Sequence, residues 1–169
     1  MATTAPREGI LSTEMTAERE ELIGLLTKAY WMEIETVMSY IANSINPDGV
    51  RAQEIIESLQ EDIQEELGHA RQFGARIKEL YGVVPGSLDF KAEQSFLQPP
   101  DEQTDIAHVI KGVIEAESGA IEHYNQIIEF CEGRDPVTQD MVIGILRDEE
   151  GHRRLFEGFL REYKAEGLA

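Results

Sequence analysis

The stretch Ile145-Leu146-Arg147-Asp148-Glu149-Glu150-Gly151-His152-Arg153-Arg154-Leu155-Phe156 decides the fold. Ile145 and Phe156 stand about three helical turns apart, so an α-helix places both on one face. Glu149 and His152 fall on that same face, between them. Glutamate rarely lies on an apolar stripe, because desolvating its carboxylate costs several kcal/mol unless a cation or hydrogen-bond donors compensate. The stretch is therefore a helix that aims a polar pair at a partner.

The pair recurs in Glu66-Leu67-Gly68-His69, on a stripe that runs from Ile63 to Phe73. In both copies the i, i+3 spacing puts Glu and His side by side. Two more glutamates interrupt apolar stripes: Glu33 between Tyr30 and Val37, and Glu117 between Val113 and Ala120. Tyr40 follows Glu33 by seven residues, and Tyr124 follows Glu117 by seven. Glu66 lies 33 residues after Glu33, and Glu149 lies 32 after Glu117. The chain thus contains an approximate repeat, Glu-x6-Tyr then Glu-x-x-His. Two such units packed with pseudo-twofold symmetry bring four glutamates and two histidines to one point, which asks for a cation. The repeat also selects Glu117 over its neighbour Glu115, which shares its face with His108 and Glu122 on the polar side.

Apolar residues recur at three and four over 17–45, 50–81, 105–132 and 136–164, which predicts four helices and fits no β-alternation. Asn46-Pro47-Asp48-Gly49 is a turn, and Gly82 stands where a C-terminal glycine follows the second helix. Gly133-Arg134-Asp135-Pro136 closes the third helix and opens the fourth, with Asp135 as N-cap and Pro136 at the first helical position. The first and third connections are short and make antiparallel hairpins. The stretch from Gly82 to about Thr104 is long enough to run the length of a bundle. The expected fold is all-α: an antiparallel four-helix bundle of two helical hairpins joined by one long crossover. Its expected extent is 17–165, behind an N-terminal extension of 1–16.

A chain of 169 residues suits one domain with a sizeable core. The net charge of −18, from 33 acidic against 15 basic residues, excludes nucleic acid and anionic membranes as partners. A solvated surface accounts for such charge, and so does a need to gather divalent cations; composition does not separate the two. No apolar run is long enough to span a bilayer. The first eight residues lack the pattern of a signal peptide, and the single cysteine, Cys131, forms no intrachain disulfide, so a cytoplasmic setting is expected.

These motifs resemble the ferritin-like di-iron superfamily, and bacterioferritin in particular. Glu33-Ile34-Glu35-Thr36-Val37-Met38-Ser39-Tyr40 resembles the first bacterioferritin ligand helix, and Ile145 to His152 is similar to the last. The resemblance implies two iron ions per subunit, with manganese a possible alternative. It implies bridging by Glu66 and Glu149, terminal ligation by Glu33 and Glu117, and one metal each for His69 and His152. Bacterioferritin's haem-ligating methionine directly follows the bridging glutamate of the second helix; here Leu67 stands there, so no haem is expected. The chain ends 17 residues after His152, which leaves no room for a fifth helix. In that respect it resembles the Dps-like mini-ferritins. Members of that group with a shared iron site carry histidines on the first helix, which has none here, and the thiol-containing type carries a cysteine pair.

Tyr40 and Tyr124 read equally as core aromatics or as hydrogen-bond donors to the ligand carboxylates. Glu65 and Asp148, each just before a bridging glutamate, read as solvated charges or as orienters of the histidine on the opposite helix. His108 and His123 are expected at the surface, and Cys131 in the core. The function implied is Fe(II) oxidation by oxygen or hydrogen peroxide followed by iron sequestration, a ferroxidase activity. The rival is a di-iron redox enzyme, a rubrerythrin-type peroxidase or an oxygenase, which keeps its iron. The first of these would usually add a Cys-x-x-Cys module, absent here, and a purely structural bundle leaves the inward glutamates unexplained. Trp31, Ile34, Met38 and Ala42 form a second apolar strip on the first helix, expected to meet another subunit. Resemblance to ferritin-like cages extends that contact to a homo-oligomeric shell, and the missing fifth helix favours twelve subunits.

Overall fold

Helix ends fall where the turn residues place them. In a computed structural model of the protein, which describes residues 9–169, the described residues form four long helices and no strand. These are α1 (Thr16–Ile45), α2 (Ala52–Glu79), α3 (Ile106–Cys131) and α4 (Pro136–Ala165). Every end lies within two residues of its expected position. Residues 1–8, which include half of the expected extension and the ground for expecting no signal peptide, lie outside the described residues. Gly9–Leu11 and Thr13–Met15 are short 3-10 turns, and Ile10 packs into the core beside Leu22 and Leu26. Arg19 fastens this segment by donating to the carbonyls of Ile10 and Ser12.

Helices α1 and α2 pack as one antiparallel hairpin and α3 and α4 as the other. Asp135 caps α4, its side chain accepting from the backbone N–H groups of Val137 and Thr138, with Pro136 in the first turn. The end of α2 corrects one expectation. The left-handed residue is Tyr81, at φ 68°, and Gly82 follows it. The Gly82 N–H bonds the Ile77 carbonyl at 2.9 Å and that of Tyr81 bonds Lys78 at 3.1 Å, which closes the helix. A glycine is needed at 82 for space: a Cβ there would lie 2.9 Å from Ile77 Cγ2 and 3.0 Å from the Ile77 carbonyl.

The crossover, between Leu80 and Asp105, runs along α1 and α3. Glu35 holds it from α1 by accepting from the backbone N–H groups of Glu93 and Gln94 at 2.7–3.0 Å. Gly112 lets it close on α3, where a Cβ would stand 2.8 Å from the Phe96 carbonyl. Trp31 is half-buried against Phe90 of the crossover, ring centroids 5.4 Å apart. The second apolar strip of α1 is thus partly used within the chain, because the crossover needs an apolar seat. Met38 and Ile41 remain exposed beside it.

The core divides into two apolar clusters. One holds Leu22, Leu26, Phe73, Ile77, Tyr124, Ile127, Cys131, Val142 and Ile145. The other holds Tyr40, Ile55, Leu59, Ile106, Val113, Phe156 and Tyr163. Along each helix, the residues of one cluster precede and those of the other follow the inward glutamate. A polar layer therefore crosses the bundle between two packed apolar ends.

Candidate metal centre

Each helix supplies that layer from the middle of its length, where packing on both sides fixes the side chains. Glu33, Glu66, Glu117 and Glu149 are each at most 2 % exposed, and His69 and His152 are buried as well. Two sets of ligand atoms converge, each within 4.8 Å: Glu33, Glu66, His69 and Glu149, and Glu66, Glu117, Glu149 and His152. Glu66 and Glu149 belong to both sets. Nδ1 of His69 lies 3.0 Å from Glu149 and 3.5 Å from Glu66. Nδ1 of His152 lies 3.3 Å from Glu66 and 3.8 Å from Glu149.

The pseudo-twofold relation extends to the groups behind the ligands. The Tyr40 hydroxyl donates to Glu117 and that of Tyr124 donates to Glu33, each crossing between hairpins. Nε2 of His69 lies 3.2 Å from Asp148, and Nε2 of His152 lies 2.8 Å from Glu65. Each imidazole is thus held at its outer nitrogen by a carboxylate of the opposite hairpin, leaving Nδ1 to face the centre.

Both oxygens of Glu66, Oε1 of Glu149 and the Nδ1 atoms of His69 and His152 are buried without a hydrogen-bond partner among the described residues. Such groups cost about 1–3 kcal/mol each when left unsatisfied. Carboxylate oxygens and imidazole nitrogens with free lone pairs are the donor set that first-row divalent ions take. The residues therefore fit a pair of such ions.

Without metal, protons balance the site. Burial, reinforced by the neighbouring carboxylates, raises Glu33 and Glu117 well above the usual carboxylate range. For Glu66 and Glu149 burial acts in the same direction, but hydrogen bonds from the adjacent histidines and from the Glu33 and Glu117 carboxyls outweigh it and hold both below that range. Burial alone would lower the histidines; the carboxylates against them push His69 up to about 10 and His152 up to about 12. Two carboxylates thus face two imidazolium ions.

Glu115 is exposed on the outside of α3, whereas Glu117 is in the centre. His108 is exposed as expected. His123 is not: it is 3 % exposed, and its Nε2 donates to the Leu25 carbonyl at 2.9 Å. Its position just before Tyr124 brings it into the seam between α1 and α3. Cys131 is buried, and burial pushes its thiol up to about 12. Asp62 escaped notice in the sequence. It is 6 % exposed and lies 3.6 Å from Nε2 of His152. Its spacing, one turn before Glu66, was the available signal.

The bundle, its crossover and the buried carboxylate–histidine layer define a ferritin-like architecture. The chain belongs to the ferritin-like domain family, whose sequence model matches residues 23–165. Among its relatives is a DNA protection during starvation protein of Pyrococcus furiosus, 31 % identical over 144 residues, 83 % of this chain and 77 % of that one. A bacterioferritin of Desulfovibrio desulfuricans is 26 % identical over 148 residues, 85 % and 78 % of the two chains. Among solved structures, a dodecameric thioferritin related to bacterioferritin, from Bacteroides fragilis, superposes with a TM-score of 0.77 at 23 % identity, covering 92 % of this chain and 97 % of that one. The crystallised D. desulfuricans bacterioferritin, described with a diiron site, superposes with a TM-score of 0.76 at 22 % identity, covering 89 % and 84 %. These superpositions establish a common fold.

Proposed function

We propose that the protein oxidises Fe(II) at a two-metal centre inside each subunit and sequesters the product. The observation that carries this reading is the pair of overlapping ligand sets that share Glu66 and Glu149. In it, Fe(II) is substrate: two ions give up one electron each, and oxygen or hydrogen peroxide takes up the two. Glu33 and His69 would hold one ion and Glu117 and His152 the other, with Glu66 and Glu149 shared between the two sets. Tyr124 and Tyr40 fix the terminal carboxylates, while Asp148 and Glu65 hold the imidazoles. The apolar clusters on either side limit water around the charges. Manganese suits the same ligands. Leu67 on α2 remains the ground for proposing no haem of the bacterioferritin kind.

A closed shell of twelve subunits is part of the proposal. Met38 and Ile41 on α1 offer an exposed apolar contact, and the Bacteroides relative is described as dodecameric. The net charge of −18 then gives the shell surfaces that concentrate Fe(II). Iron per subunit after aerobic Fe(II) loading and desalting tests the function. Tens of ions per chain support storage, and a ratio that stays near two shifts the assignment to a di-iron enzyme that retains its metal. Gel filtration with light scattering tests the shell. A particle of about 230 kDa, twelve times the 19.0 kDa chain, supports it, and a monomer or dimer refutes it.

A further inference from the structure

The centre departs from its own symmetry at one place. Asp62 lies four residues before Glu66, and Ile145 lies four before Glu149. A carboxylate in the first hairpin therefore matches an aliphatic side chain in the second. Ile145 is 2 % exposed and packs in the apolar cluster with Phe73 and Tyr124. Asp62 is 6 % exposed, its Oδ1 lies 3.6 Å from Nε2 of His152, and its Oδ2 has no hydrogen-bond partner among the described residues. His152 is thus faced at its outer nitrogen by two carboxylates, Glu65 and Asp62, and the symmetry-related position beside His69 offers Asp148 alone.

We propose that Asp62 makes the two metal positions unequal, so that the Glu117–His152 position takes a divalent cation ahead of the Glu33–His69 position. The inference rests on the two-metal reading above. Asp62 is a positioning residue: it touches the imidazole rather than the ion. The outer N–H of His152 is taken by Glu65 at 2.8 Å, as that of His69 is by Asp148 at 3.2 Å, so Asp62, at 3.6 Å, acts through its charge. A further anion behind that ring attracts a cation through protein interior, where charges are weakly screened. That charge acts on His152, and Ile145 supplies none to His69. The order of filling follows: the first ion enters between Glu117, His152 and the bridging carboxylates, and the second completes the bridge.

Anaerobic titration of the full-length protein with Co(II), followed by visible absorption and calorimetry, tests this. Wild type is expected to take two ions per chain in two resolved steps. Asp62→Asn, nearly isosteric, is expected to take two ions still, with the first step weakened about tenfold and the two steps merged. In the wild-type background, Glu33→Gln keeps the tighter step and Glu117→Gln loses it; this comparison decides the order even if the Asp62 variant fails to fold. Two equivalent ions in wild type, unchanged steps in folded Asp62→Asn, or loss of the tighter step in Glu33→Gln overturns the inference and leaves the two-metal centre standing. Failure of wild type to bind Co(II) overturns the two-metal reading and the inference with it.

Discussion

Tyr40 on α1 donates its hydroxyl hydrogen to Glu117 on α3, 77 positions further along the chain, and Tyr124 on α3 returns the bond to Glu33 on α1. Each tyrosine is fully buried and reaches a buried central carboxylate of the other hairpin. The two bonds tie the hairpins together at the level of the centre and hold Glu33 and Glu117 in place before any metal arrives. Tyr40→Phe and Tyr124→Phe each remove one donor without changing the ring. Each variant should lose about 1 kcal/mol of stability and about tenfold in Fe(II) affinity. Thermal unfolding and anaerobic Fe(II) binding measure the two effects, and wild-type affinity in both variants would show that the tyrosines act only as core aromatics.

Glu117→Gln should weaken metal binding sharply, and Glu115→Gln should leave it near wild type. The two residues are two positions apart, yet one is 2 % exposed in the centre and the other stands in solvent. Metal titration of both variants gives the comparison. Equal losses, or the reverse order, would contradict the ligand set.

Metal uptake should release protons. Burial and neighbouring carboxylates raise Glu33 and Glu117, and the carboxylates against them raise His69 to about 10 and His152 to about 12, so binding a metal displaces the protons these groups carry. Lower pH favours the protonated forms, so affinity falls as pH falls and rises as pH rises. At least the two histidine protons should be released near pH 7 per pair of ions, read with a pH indicator in weakly buffered solution. Uptake without proton release would show that the ligands are already deprotonated.

A second charged site bears on stability alone. Nη2 of Arg76 on α2 donates to both Asp135 oxygens at 3.0 Å, and Nε donates to Thr138 at 2.8 Å, locking α2 to the start of α4. Burial opposes the Asp135 charge, but Thr138 and Arg76 outweigh it and hold the carboxyl below its ordinary value. With the folded value depressed, the contribution is present above the unfolded value near 4 and is lost as pH falls through the folded one. Asp135→Asn should cost about 1–3 kcal/mol at pH 7, because buried Arg76 loses one of its two carboxylate partners and keeps Glu79. Urea unfolding at pH 7 and pH 3 should show the gap between wild type and variant narrowing at the lower pH.

The six central residues were legible because the repeat fixed their register: an inward glutamate interrupts each stripe, and the histidines follow at helical spacing. Helix ends were legible from Asp135, Pro136 and Gly133 for the same local reason. What escaped depends on contacts distant in sequence. Glu35 looks like any helical surface acid, and only the path of the crossover, 58 residues on, buries it under the N–H groups of Glu93 and Gln94. That path also covers Trp31, which sequence alone assigned to another subunit. His123 lies off the central stripe of α3 and is buried by its neighbour α1, a packing detail that periodicity within α3 does not carry. Asp62 is the instructive omission, since its spacing from Glu66 already placed it near the inner face.

The most direct test of the central claim is the initial rate of Fe(II) oxidation under air, measured for wild type, Glu66→Ala and His152→Ala alongside circular dichroism. Glu66 belongs to both ligand sets and His152 to one, and neither belongs to the two apolar clusters that pack the ends of the bundle. Those packed ends are expected to keep the apo bundle folded in both variants. Both variants are expected to keep their helical signal and lose rapid oxidation. Wild-type rates in both variants would contradict the central claim.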